Sequence, residues 1–413
     1  MTWRSARLRI LALLMLGTVI NYVARNSLGA LAPQLKTDLA ISTEQYSYIV
    51  GAFQLAYTVM QPICGLLIDR IGLTAGFALL AVAWSLANIA HAWAGSWQAL
   101  AACRGLLGMA EAAVIPAGMK TIGEWFPDRE RSIATGWFNA GTALGAVIAP
   151  VIAALIAKAY GWQMAFAVTG GFGLVFAAIW YRWYRSPADA PYLGAAERAE
   201  ISAGQRAVPV DAATMRAVVT APRFWAIAVP RFLAEPAWQA FSFWVPLYFV
   251  TERGWDLTQI AMFAWVPFLA ADAGGILGGY LAPWLQRRGF SLEGSRIAGV
   301  WAGAVLMVAP GCVGLVASPY VAIALLGIGG FAHQMISVLI NTLSADVFPK
   351  SDIAKANGLV GMAGWTGGFL FSIAIGQLAD RIGYAPLFGC LALFDLIGAI
   401  WLLALRRHLV VHG

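Results

Sequence analysis

Phe126-Pro-Asp-Arg-Glu-Arg-Ser-Ile-Ala-Thr-Gly136 and Phe348-Pro-Lys-Ser-Asp-Ile-Ala-Lys-Ala-Asn-Gly358 are two short polar stretches, each placed between long apolar runs. Phe, Pro and Gly recur between them at a constant offset of 222 residues. The same offset carries Gly108 onto Gly330, Gly145 onto Gly367 and Glu111 onto His333. A chain that repeats a loop together with its flanking segments is built from two related halves. Where those segments are membrane helices, a parallel repeat of two bundles with a site at mid-membrane between them is a transporter architecture.

The flanking segments are of that kind. Sixty per cent of the 413 residues are apolar and only 11% are charged, against about 25% charged in a soluble domain. Apolar runs of about 20 residues, each long enough to cross roughly 30 Å of hydrocarbon, fall near 10–32, 45–67, 75–93, 98–118, 132–155, 163–183, 222–249, 257–284, 297–316, 321–345, 355–377 and 384–405. Lipid leaves no backbone group a water partner, so these runs must be helices. The expected fold is an all-α integral membrane protein of twelve transmembrane helices in two pseudo-symmetric six-helix bundles. Residues 1–183 are expected to form the first bundle, 184–221 a polar linker with a short surface helix over Ala195–Arg206, and 222–413 the second bundle.

With an even number of spans, both termini share one side. Twenty Lys and Arg fall on that side and four (Lys36, Lys158, Arg253, Arg381) on the other, which puts the termini in the cytoplasm by the positive-inside rule. The net charge of +7 then reports topology and contact with anionic lipid, not a nucleic-acid partner. The first run has no small-residue cleavage site and is interrupted by Arg25, so it reads as a retained helix rather than a signal peptide. Cys64, Cys103, Cys312 and Cys390 lie inside spans without paired spacing, and neither a disulfide framework nor a metal site is expected. Trp3, Trp93, Trp97, Trp125, Trp162, Trp183, Trp255 and Trp284 flank the spans and read as an interfacial belt.

Gly65-Leu-Leu-Ile-Asp-Arg-Ile-Gly72, between spans two and three, resembles the cytoplasmic loop motif of the major facilitator superfamily. In that family the Asp and Arg brace the inner gate, which assigns gating to Asp69 and Arg70. The usual basic residue after Gly72 is replaced by Leu73-Thr74. Tyr22-Val-Ala-Arg-Asn26, Tyr57-Thr-Val-Met-Gln-Pro62, Arg104-Gly-Leu-Leu-Gly-Met-Ala-Glu-Ala-Ala113, Pro230-Arg-Phe-Leu-Ala-Glu-Pro-Ala-Trp238 and Gly329-Gly-Phe-Ala-His-Gln334 are similar to its anion:cation symporters, in particular to bacterial hexuronate permeases. The resemblance implies a monomeric carrier of the bacterial inner membrane that moves glucuronate or galacturonate inward with protons and uses no cofactor.

The residues themselves support an anion site. A sugar acid brings one carboxylate and several hydroxyls. Arg25 offers a planar fork suited to a carboxylate and stays charged when desolvated; the resemblance gives it the substrate carboxylate, and the bland alternative is a structural pair with an acid on a neighbouring helix. Tyr57 and Gln61 lie one turn apart on one face of span two, and Asn139 and Thr142 are similarly spaced on span five. Glu111 is the candidate proton carrier, because burial disfavours its charged form while a nearby guanidinium favours it. Arg104, seven residues earlier on the same face, is its expected partner, against a purely structural ion pair. Relatives carry an acid before the span-one arginine; here that position is Ala24. In the second half, Arg231 and Glu235 have the spacing of an intrahelical pair and are read as a gate or brace. His333 and Gln334, with Trp238 and Trp365, are candidate substrate contacts, although core packing explains a lone His or Trp as well. Asp272, beside paired glycines, is read mainly as a structural hydrogen bond, and Asp395 as peripheral.

Alternatives are a symporter for another organic anion, such as the aldonate galactonate, and an efflux antiporter. The second is disfavoured because span five reads Gly145-Ala-Val-Ile-Ala-Pro150 without Gly-Pro. A membrane enzyme would need a nucleophile–base set or metal ligands, and a channel a selectivity ring; neither pattern is present.

Overall fold

Within the described residues the apolar runs coil into helices, because in hydrocarbon only an internal ladder satisfies the backbone. The computed structural model describes residues 5–41, 43–203, 214–245, 248, 249, 252–255, 259, 263, 265–349 and 351–409. The first half comprises α1 (Ala6–Asp38), α2 (Thr43–Ile71), α3 (Leu73–Ala90), α4 (Trp97–Glu111), α5 (Val114–Trp125), α6 (Arg131–Tyr160) and α7 (Trp162–Trp183). Short helices α8 (Ala195–Ala203) and α9 (Met215–Thr220) follow; the expected end of the linker helix at Arg206 lies outside the described residues. The second half comprises α10 (Pro222–Gln239), continued by a π turn over Ala240–Trp244, then α11 (Val266–Arg287), α12 (Leu292–Leu306), α13 (Pro319–Val347), α14 (Ile353–Ile382) and α15 (Ala385–Ala404).

Among the described residues, ten spans are by themselves long and apolar enough to cross a membrane, α4 and α5 forming one of them over Trp97–Trp125. α10 and α11 supply the seventh and eighth of the twelve; parts of those runs, including 246, 247 and 256–258, lie outside the described residues. Span four differs from the uninterrupted helix that its sequence suggests. Ala112 and Ala113 form a turn directly after Glu111, so the helix is interrupted at the acid in mid-span.

The repeat is visible in the packing. α1 lies against α6, α2 against α4 and α3 against α7; α10 against α14, α11 against α13 and α12 against α15. Without a hydrophobic drive between helices, lipid-embedded helices gain by close van der Waals approach at small residues. A methyl on Gly145 would stand 2.7 Å from the Val19 carbonyl oxygen, and Gly367 sits still more tightly on the Phe232 carbonyl. Gly108 seats on Phe53 of α2 and Gly330 on Pro267 of α11 in the same manner. Gly161 and Gly383, again 222 apart, both end a helix with positive φ (+86° and +75°), a conformation that glycine adopts without a Cβ clash.

The halves meet where α2 crosses α14 and α6 crosses α11. The start of α1, the end of α15, α8 and α9 share one membrane face, termed the linker face, where Arg7 holds Glu130 at 2.8 Å and Glu200 at 2.6 Å. Among the described residues, the hydrogen bonds and ion pairs that join the halves gather on that side. They include Arg131 to Asp346, Ser132 to the Gly279 carbonyl, Thr342 to Thr135 and the Lys355 amide to Asp69. Gly65 rests on Ala354, and a methyl on Gly358 would stand 2.5 Å from the Gln61 carbonyl oxygen. The linker face is therefore closed. The tryptophan belt is only partly exposed: Trp93 and Trp183 face outward, whereas Trp125 and Trp162 are buried, Trp125 because its indole bonds the Arg185 carbonyl.

Overpacking a tight contact costs about 1–3 kcal/mol, so Gly358→Leu is expected to shift the carrier away from linker-face closure by roughly tenfold or more. In a background without the native cysteines, Ala354→Cys, fully buried against Gly65, should react with a maleimide correspondingly faster when Gly358→Leu is added. An unchanged labelling rate would show that the seam tolerates the side chain.

Candidate functional site

Arg25 stands midway along α1 and Glu111 closes α4, which brings them to one depth. Arg25 Nε donates to Glu111 Oε2 at 2.8 Å. Glu111 is completely buried and the Arg25 side chain 11% exposed. Three rings surround the guanidinium, those of Tyr22, Tyr57 and Phe53 at 4.5, 4.7 and 5.1 Å, an arrangement in which ring quadrupoles favour the cation. A fourth contact, from Arg25 to Asn21 Oδ1, is long at 3.4 Å.

This corrects the expected pairing of Glu111 with Arg104. Arg104 instead donates to the Arg25 carbonyl oxygen at 3.1 Å and lies 4.7 Å from the Phe53 ring. The reason is axial: seven residues span about 10 Å of helix rise, whereas an arginine entering from α1 at the same level reaches the carboxylate directly. Two guanidiniums and one carboxylate thus share a buried centre, and Glu111 Oε1 has no hydrogen-bond partner among the described residues.

Tyr57 and Gln61 both face α14 across the boundary between halves. The Tyr57 ring lies 4.8 Å from that of Trp365. Gln61, 1% exposed, sits in the closed seam beside Gly358 and Gly361. Asn139 and Thr142 are buried on α6, and the Thr142 hydroxyl donates to the Asn139 carbonyl at 2.7 Å. On the other side, His333 is buried on α13 with its ring 5.7 Å from Trp238 and nearly parallel to it. Gln334 packs on Gly275 of α11. Arg231 pairs with Glu235 at 2.6 Å and with the Ser337 hydroxyl at 3.0 Å. Asp272 is half-buried. Arg25, Glu111, Tyr57 and Trp365 thus form one group across the halves, while His333 and Trp238 form another.

At the linker face, Asp69 accepts from Lys120 Nζ at 2.6 Å and from the Lys355 amide at 2.9 Å, while Arg70 is exposed. Sequence reasoning missed the companion to this contact. Asp346 of α13 takes Arg131 at 3.0 Å and Arg296 at 3.2 Å, all with side chains at most 5% exposed. Arg131, Arg296 and Lys120 count among the loop charges in the sequence, yet they are buried between helices. The available signal was Asp346 itself, an acid directly after the apolar run 321–345.

Twelve helices in a twofold-repeated packing, closed on one face over a buried charge centre, define a multi-pass membrane transporter and not an enzyme. The chain belongs to the major facilitator superfamily, whose family model matches residues 14–302. It is 50% identical over 402 residues to a hexuronate transporter of Escherichia coli (strain K12), covering 96% of this chain and 93% of the relative. It is 46% identical over 327 residues to a galacturonate transporter of Dickeya chrysanthemi, covering 78% of this chain and 94% of that one. The fold matches the crystal structure of a major facilitator transporter, FucP, in the outward conformation, with a TM-score of 0.74 at 15% identity over 96% of this chain and 98% of that one.

Removing one partner of a buried pair costs about 3–5 kcal/mol, because the other charge is left uncompensated. Asp346→Ala leaves Arg296 without a carboxylate and Arg131 with Asp128 alone, and should lower the midpoint of thermal unfolding in detergent well below that of Arg70→Ala, whose side chain is exposed. Equal midpoints for the two variants would show that water replaces Asp346 at no cost.

Proposed function

We propose that the chain takes up a hexuronate such as glucuronate or galacturonate by symport with protons. The mechanism is supported by one observation above the others, the Arg25–Glu111 ion pair at the boundary of the halves. The substrate class is supported by 50% identity along almost the whole chain to a protein named a hexuronate transporter.

In this reading the linker face is cytoplasmic, which the excess of Lys and Arg on it supports, and the membrane is the bacterial inner membrane. With the linker face closed, the site is approached from the periplasm. A proton on Glu111 cancels its charge and releases Arg25. The guanidinium then takes the hexuronate carboxylate through charge-assisted hydrogen bonds. Tyr57 and Trp365 offer flat faces to the sugar ring, and Gln61, Asn139, Thr142, His333 and Gln334 offer donors and acceptors to its hydroxyls, with Trp238 behind His333. Arg104, bonded to the Arg25 backbone, keeps the site cationic while the proton is bound.

The bundles 1–183 and 222–413, joined by the linker 184–221, then rock about the site as two bodies within a monomer. Asp69, Arg70 and the Arg231–Glu235 pair act as braces that release on opening. On the cytoplasmic side Glu111 loses its proton, re-forms its pair with Arg25 and displaces the anion.

Proteoliposomes given an inward proton gradient are expected to accumulate labelled glucuronate or galacturonate above equilibration, and excess galactonate to compete poorly. No accumulation of either hexuronate would end the symport reading. Glu111→Gln should abolish gradient-driven accumulation while retaining exchange of substrate for substrate. Arg25→Ala removes a desolvated charge partner worth about 2–5 kcal/mol, so hexuronate should bind roughly 30-fold weaker or worse; unchanged affinity by calorimetry would remove Arg25 from the site.

A further inference from the structure

The seats of two pairs of glycines carry the internal repeat into the candidate site itself. Gly108 seats on Phe53 and Gly330 on Pro267, and three residues further along α4 and α13 stand Glu111 and His333. Gly145 seats on Val19 and Gly367 on Phe232; six residues beyond those seats, along α1 and α10, stand Arg25 and Trp238. Each interval lies within one helix, so Arg25 and Trp238 hold equivalent positions in the two halves, as do Glu111 and His333. The Arg25–Glu111 ion pair at 2.8 Å is therefore answered in the second half by Trp238 and His333. Their rings lie 5.7 Å apart and 23° from parallel. The surroundings correspond as well. Phe53 of α2 lies 5.1 Å from Arg25, and Phe268 of α11, next to Pro267, lies 5.5 Å from Trp238.

What separates the two poles is charge. Neither an indole nor a neutral imidazole brings a cation that could hold a carboxylate. Arg231 stands seven residues before Trp238, about 10 Å closer to the linker face. Its terminal amino groups are taken by Glu235 at 2.6 Å and Ser337 at 3.0 Å. The other buried cations of the second half, among the described residues, are Arg296 and Lys355. They stand near the starts of α12 and α14 and pair with Asp346 and Asp352. At each pole one polar atom is buried without a hydrogen-bond partner among the described residues, Oε1 of Glu111 and Nδ1 of His333. An imidazole nitrogen can bond a hydroxyl in either tautomer, because a hydroxyl both donates and accepts. A second carboxylate at that pole would be desolvated without a countercharge, which is costly.

We propose, resting on the reading of the chain as a hexuronate carrier, that His333 receives the end of the substrate remote from its carboxylate and thereby restricts the carrier to sugar acids with a single carboxylate. Trp238 is a positioning residue, whose ring holds the plane of the imidazole. With the C6 carboxylate of a hexuronate on Arg25, the remote end is C1 and its hydroxyl. The indole covers the imidazole as the guanidinium covers Glu111, and a substrate between the halves displaces both covers. Its charged end takes Arg25 and its neutral end takes the free nitrogen of His333. The same fold with a cation at the second pole would suit an aldaric acid, which carries a carboxylate at each end.

The test is inhibition of labelled glucuronate exchange in proteoliposomes by two open-chain acids that differ only at the remote carbon. In gulonate that carbon is an alcohol, and in glucarate it is a second carboxylate. On the wild type gulonate should inhibit roughly tenfold or more better than glucarate. His333→Arg places a permanent cation beside Trp238 and should shrink that ratio about tenfold. Equal inhibition of the wild type by the two acids, or stronger inhibition by glucarate, overturns the proposal and points to Arg231 as the group that meets the second carboxylate. A His333→Arg protein that still exchanges glucuronate and keeps the wild-type ratio overturns it too, since a histidine that only packs the core would leave the ratio alone. Should that variant not fold, Trp238→Arg, at the position equivalent to Arg25, puts the cation at the same pole, and the wild-type ratio stands as a test in either case. A wild type that exchanges no glucuronate sinks the carrier reading itself.

Discussion

A guanidinium held at mid-membrane depth must be neutralised by protein, since lipid cannot do it and water is excluded. The Arg25–Glu111 pair meets that requirement, and much else follows from it. It sets the depth at which α1 and α4 align. It coincides with the break in span four, where Ala112 and Ala113 form a turn directly after Glu111. It also explains the aromatic surroundings. Tyr22, Tyr57 and Phe53 supply ring faces that stabilise the cation without fixing its hydrogen bonds, so the guanidinium can change partner without losing its surroundings.

Close approach does the rest of the structural work. Helices in lipid gain little from burying apolar surface against one another, so their contacts depend on backbone proximity at small residues. The glycines at 108, 145, 330 and 367 hold each bundle together internally, whereas Gly65, Gly136, Gly279 and Gly358 hold one bundle to the other. The second set lies wholly on the linker-face side. Where glycine meets backbone no side chain has to be unlocked, so in this seam the side chains that must release are those that bridge it, such as Arg131 with Asp346, Thr135 with Thr342 and Ile353 on Gly123.

The architecture was legible in the sequence because it depends on two coarse signals, apolar length and the repeat. The offset of 222 located the fold symmetry down to Gly161 and Gly383, which sequence reading had not singled out but which end equivalent helices with the same backbone conformation. Arg25 and Glu111 were identifiable as costly charges, and the spacing of Arg231 and Glu235 foretold their contact. What periodicity could not give was partnership between helices. Arg104 and Glu111 share a helix face, which made them look like a pair, yet a neighbouring helix at equal depth offered a shorter reach. Arg131 and Arg296 looked like solvated loop charges because only the assembled helix ends show that Asp346 lies between them.

Depth separates the roles open to these ion pairs. Asp69 with Lys120, and Asp346 with Arg131 and Arg296, lie near the ends of their helices. When the linker face opens, water can reach these groups and replace one partner by solvation, so their rupture needs no ligand. The Arg25–Glu111 pair has no such recourse. At the middle of the bundle an unpaired charge is costly in every conformation, so in the proposed mechanism the pair is broken by exchange, a proton for the guanidinium on one side and an anion for the carboxylate on the other. Under that proposal, pairs at the rim report which face is open, while the central pair registers whether both solutes are bound. A proton-coupled carrier needs both kinds: a rim pair that required a ligand would lock the gate, and a central pair that opened to water would let the proton cross alone.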